Sequence, residues 1–127
     1  MSDKQRVIEA FLSKNPKISS AEEFLEKWWA PLRVSCGMPE PWSRILYFLV
    51  AKDAHSQNRE WTDCKAREVH KALGIKKGYQ SVILARLQKV GLVSRKMAKD
   101  DMRVRLVRVN YGVLAKLMGL SEQNKAA

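Results

Sequence analysis

The chain has 127 residues, 46% of them hydrophobic, which is enough for one substantial core and too short for two. Its 24 basic residues against 13 acidic ones give a net charge of +11, which points to a negatively charged partner. No apolar run reaches the about 18 residues of a membrane span, the start MSDKQRVIEA lacks a signal peptide's apolar stretch, and Cys36 and Cys64 form no Cys-x-x-Cys pair, so a cytosolic protein with reduced thiols and no metal is expected.

Residues 4–13 place Val7, Ile8, Phe11 and Leu12 on one helical stripe, and NPKISS breaks that helix. Ser20 followed by Glu23 is a capping-box pattern, with Glu22 and Glu23 suited to a positive helix start. The helix it predicts carries Phe24, Leu25, Trp28 and Trp29 and stops before Pro31. Residues 31–41 hold three of the four prolines and read as a linker. In WSRILYFLVAK, Ile45, Leu46, Phe48 and Leu49 are dense enough to predict the central core helix, and HSQNREW reads as a polar loop.

Thr62 is placed to cap a helix that faces Ala66, Val69 and Leu73 inward and ends at Gly74. After the turn GIKK, a helix over 78–90 presents Ile83, Leu84, Leu87 and Val90 inward. Its outer face is Gly78, Ser81, Val82, Ala85, Arg86 and Lys89, and Gly91 ends it. Two strands, about 92–97 and 103–109, flank AKDD. A short helix follows over Tyr111–Leu120, with Val113, Leu114 and Leu117 available for packing, and 121–127 is a frayed tail.

The expected fold class is therefore mainly α with a small β-hairpin. It is one domain over 1–120: a helical extension (1–40), a core (41–110) and a terminal helix (111–120). The charge concentrates in this second half: residues 74–109 carry ten basic residues against Asp100 and Asp101. Two helices joined by a short turn have the form of a helix-turn-helix, whose second helix enters the DNA major groove. A groove about 12 Å wide admits a helix whose outer face is not bulky, and Gly78, Ser81 and Ala85 suit that approach. Lys76, Lys77, Lys89, Lys96 and Lys99 are candidate phosphate contacts, with Arg86 and Arg95 beside them. Tyr79, Ser81 and Val82 are the candidate base readers, whereas Gln80 falls nearer the inner face by helical phase. The strand pair projects Lys96, Lys99 and Arg103, and an arginine at such a tip suits the narrow, negative minor groove.

Residues 62–112 resemble the winged-helix core of the MarR family of transcription regulators. The likeness rests on a helix ending in Leu73-Gly74 and a second helix closing in Leu87, Gly91, Leu92, Val93 and Arg95. The wing signature is matched at Asp101, Arg103 and Val107, while Val109 and Asn110 replace its last two residues. Val82 stands where the family often has arginine, and the first 40 residues match nothing of it. The resemblance implies a homodimeric double-stranded-DNA-binding repressor in a bacterial or archaeal cytosol, or one encoded by a plasmid or phage. It makes Arg103 the minor-groove arginine, braced by Asp101. Alternatives are a plasmid or phage DNA-maintenance protein and a winged-helix protein-interaction module.

Four tryptophans invite an interface or pocket reading, but aromatics at helical spacing mostly fill cores. Neighbours on a helix diverge by about 100°, so one of Trp28 and Trp29 is a candidate to face a partner chain, with Phe11 and Leu117 as further dimer-interface candidates. No cofactor is expected, a small-molecule effector has no support in the residues, and no catalytic motif is present, so an enzyme is not expected.

Overall fold

A computed structural model describes residues 2–11, 24–54, 61–97 and 105–120. The first helix, α1 (Asp3–Phe11), opens on a capping box at Ser2 and Gln5 that the sequence analysis did not single out. The Gln5 backbone N–H donates to Ser2 Oγ at 3.2 Å, and the Ser2 backbone N–H donates to Gln5 Oε1 at 3.1 Å. The expected box at Ser20 and Glu23 lies outside the described residues.

The linker expected over 31–41 is largely helical. A π-helical segment, Phe24–Trp29, continues directly into α2 (Ala30–Cys36). Pro31 does not stop the chain because it falls in the first turn of α2, where its fixed φ suits the helix. Gly37, in the left-handed region at φ 68°, ends α2 and donates to Arg33 O.

The apolar block at Ile45–Leu49 forms the central helix, α3 (Glu40–Ala54), which packs against α1, the π-helical segment and four of the six described elements that follow it. It buries Ile45, Leu46, Tyr47, Leu49 and Val50. Thr62 does not cap a helix. Thr62–Cys64 is a strand, β1, and α4 begins only at Ala66 and ends at Leu73. Thr62 and Cys64 are both buried and pair with Val107 and Arg105 across the sheet, a non-local arrangement that outcompetes the local cap.

After a turn, α5 (Lys77–Lys89) leads to β2 (Val93–Met97), β3 (Arg105–Val109) and α6 (Tyr111–Leu117). The sheet is antiparallel with order β1-β3-β2, so the expected hairpin gains a third strand on its β3 edge. Helix α6 packs on α1 and α2, and Ser35 Oγ donates to Leu117 O at 2.7 Å. Among the described residues no helix is long and apolar enough to cross a membrane.

One buried carboxylate joins four elements. Asp53 of α3 accepts the Tyr111 hydroxyl proton at 2.6 Å and lies 3.2 Å from Lys4 Nζ of α1, with Thr62 Oγ1 of β1 at 3.5 Å. Burial, then the Asp53 carboxylate, pushes the Tyr111 phenol far above its usual range. Both folded and unfolded chains keep the Tyr111 proton below about pH 10. Above that, only the unfolded phenol ionises, so stability falls as pH rises. Tyr111→Phe should lower stability by about 1 kcal/mol at neutral pH. Urea titrations should show the gap between the two proteins narrowing above about pH 10.

Candidate nucleic-acid interface

The α4–turn–α5 unit is fixed by a residue whose phase made it the weakest base-reading candidate. Gln80 is only 3% exposed. Its Nε2 donates to Ala66 O at 2.9 Å and Ile75 O at 2.6 Å, tying the start of α4 and the turn to α5. Gln80→Leu removes both bonds in a buried setting and should cost about 1–3 kcal/mol in a denaturant titration.

With Gln80, Ile83, Leu84 and Leu87 turned inward, α5 exposes the opposite face. Gly78, Ala85, Arg86 and Lys89 are exposed, as are Tyr79 and Val82, at 47% and 50%, while Ser81 is half-buried. Gly78, Val82, Ala85 and Lys89 follow one another at helical spacing, so the face is narrow in its middle and charged at its far end. Lys76 and Lys77 are exposed at its start, and no side chain caps the first-turn N–H groups there. No acidic residue occurs from Val69 to Met97. Val90, expected on the inner face, is 55% exposed because α5 ends one residue before it. Gly91, at φ 84°, then turns the chain and Leu92 takes the buried place.

The strand register sorts the remaining cations onto two faces. Val93, Arg95, Met97, Arg105, Val107 and Val109 share the face toward the helices, and Ser94, Lys96, Leu106 and Arg108 share the other. On the helix side, Arg95 Nε donates to Gln88 Oε1 at 2.8 Å and Arg105 donates to Ser81 Oγ at 3.0 Å. A groove of about 320 Å³ runs between Gln88 and Arg95, Lys96, Met97 and Arg105. On the other face, the Lys96 ammonium lies 4.4 Å and the Arg108 guanidinium 4.8 Å from the Trp61 ring centroid. Lys96 is thus held over an indole by attraction to its π face.

Lys99, Asp101 and Arg103 lie outside the described residues, as does the side chain of Phe11. Trp61, Arg105 and Arg108, with exposed Lys65, Arg67 and Lys71 on and beside α4, join the candidate surface without having been sequence candidates for it. The alternation of RLVRV signalled that Arg105 and Arg108 lie on opposite faces, but not what each would meet.

Trp28 has no surface for a partner chain. It is 1% exposed, its Nε1 donates to Ser43 O at 2.8 Å, and its ring meets Tyr47 edge-on at 5.0 Å. The wider π-helical turn places Phe24 and Trp28 together in the core and leaves Trp29 at its margin. Trp29 is half-buried, donates to Met38 O and carries Arg33 over its ring, while half-buried Leu117 packs on the core. Burial pushes the Cys64 thiol up despite the opposing pull of Lys52 and Arg105, and burial raises Cys36 as well, so both favour the protonated thiol.

Comparisons of the chain with protein-family models, with curated proteins and with solved structures found no match.

Proposed function

We propose that the chain is a winged helix-turn-helix protein that binds double-stranded DNA sequence-specifically. One observation carries the reading: α5 exposes a face with small residues in its middle and cations at both ends, in a stretch free of acidic side chains. On this reading α5 lies in the major groove. Gly78 and Ala85 allow close approach to the base edges. Tyr79 and Ser81 supply hydrogen-bonding atoms, and Val82 meets thymine methyl groups. The uncapped N–H groups at the start of α5 face a phosphate, since that helix end is electropositive, with Lys76 and Lys77 beside them. Arg86 and Lys89 meet the backbone at the far end. The β2–β3 hairpin flanks α5 and extends the cationic track through Arg95 and Arg105.

The resemblance of residues 62–112 to the MarR family supports regulation of transcription as the purpose of that binding. Selection from a random-duplex pool tests the reading. The expected result is one enriched sequence, bound with an affinity that falls steeply with salt, by about 0.9 log unit per neutralised phosphate per log unit of salt. Two inverted half-sites would mark a homodimer. An array of direct repeats would favour DNA maintenance instead. No enrichment, with no duplex binding at low salt, would overturn the proposal.

A further inference from the structure

Ser81 and Arg105, 24 residues apart, meet in a side-chain hydrogen bond of 3.0 Å. A guanidinium is donor-only and stays charged at any ordinary pH. The Ser81 oxygen is therefore the acceptor in this bond. A seryl hydroxyl has a single proton, and a free one rotates to donate or accept as its surroundings require. With Arg105 on one lone pair, that proton is driven away from the guanidinium. Among the described residues no acceptor takes it.

The hydroxyl lies at the edge of the exposed face of α5. Ser81 is half-buried, one turn after Lys77 and one turn before Ala85. A small cleft of about 30 Å³ lies beside it, lined by Lys77, Ser81 and Arg105 together with the buried Cys64, Gln80 and Leu84. Two cations thus line the cleft beside the Ser81 hydroxyl, so an incoming acceptor is favoured and an incoming N–H donor is repelled. In the major groove the base edge with two acceptors and no donor is guanine, with N7 and O6. Cytosine offers the N4 donor, adenine pairs one acceptor with one donor, and thymine has a single acceptor, O4, beside its methyl group, so guanine is the richest acceptor edge.

We infer that Arg105 is a positioning residue that fixes Ser81 as a hydrogen-bond donor, and that the pair selects guanine at one base pair of the bound duplex. The inference rests on the DNA-binding reading above. It adds to that reading a polarity, a base and a residue that touches no base itself.

The test is selection from a random-duplex pool with the wild-type chain, Ser81→Ala, Arg105→Met and the double variant, each checked for folding by thermal melting. The wild type should enrich a G·C pair at one position, with a preference of about tenfold. Ser81→Ala and Arg105→Met should each relax that position and leave the others, and the double variant should do no more than either alone. Arg105→Lys, which keeps a charged donor, should retain the preference. A second measurement needs only wild-type protein: at that position either 7-deazaguanine, which lacks the N7 acceptor, or 2-aminopurine, which lacks O6, should weaken binding about tenfold. A uniform loss across all sequences in Ser81→Ala would mean a phosphate contact and would overturn the inference. So would an Arg105→Met preference that keeps guanine, or indifference of the wild type both to 7-deazaguanine and to 2-aminopurine. A wild-type chain that enriches no sequence would instead sink the DNA-binding reading, and this inference with it.

Discussion

Trp28→Ala is expected to lower stability by about 3–5 kcal/mol, a large share of what holds a small chain folded. Large-to-small changes at a buried tryptophan typically cost about 3–5 kcal/mol, and small proteins are stable by only about 5–15 kcal/mol in total. Three contributions add at this site. The indole is 1% exposed, so its whole apolar surface returns to water. Its edge-on contact with Tyr47, which also meets Phe24 at 5.8 Å, is lost. The Ser43 carbonyl, in the buried first half of α3, loses its Nε1–H donor. Trp28→Phe keeps an aromatic ring but not the donor, and the Ser43 carbonyl keeps its place within α3, so the lost hydrogen bond should cost only about 1 kcal/mol. Urea titrations followed by circular dichroism measure both. The losses should be the same at low and high protein concentration, because Trp28 stabilises one chain's own core. A loss that grew on dilution would return Trp28 to a subunit interface.

The parts of the fold legible in the sequence are those set by local period. Ile45, Leu46 and Leu49 predict α3, and Ile83, Leu84 and Leu87 predict the inner face of α5, because a buried helical stripe repeats within one element. Gly74 and Gly91 mark turns correctly, as both adopt the left-handed backbone that glycine tolerates. Distant pairings are what escaped. Thr62 followed by Asp63 reads equally as a cap or as a strand start, and only β3, more than forty positions on, decides for the strand. Pro31 reads as a stop until its place in the first turn of α2 is known. Phase alone turned Gln80 inward, but the two carbonyls it bridges belong to other elements. The cations of the candidate site were counted from the sequence, yet their partners were not. Nothing local says that Lys96 rests on Trp61 or that Arg105 reaches Ser81.

The double reversal Lys76→Glu, Lys77→Glu should weaken duplex binding by on the order of 100-fold at fixed moderate salt. Both side chains are exposed, at the N-terminal end of α5, where the uncapped first turn is electropositive. The change deletes two phosphate contacts and sets two carboxylates against the DNA backbone. It should also flatten the dependence of log affinity on log salt by about 1.8, two contacts at about 0.9 each. The fold should not weaken with it. Carboxylates near a helix start are favoured by the same dipole that would hold a phosphate, and neither lysine is buried. Thermal melting should therefore show the variant at least as stable as the wild type while binding collapses. That opposition separates an interface role from a structural one. A variant that melted early, with binding falling in proportion to the folded fraction, would remove Lys76 and Lys77 from the interface. An unchanged salt dependence would do the same.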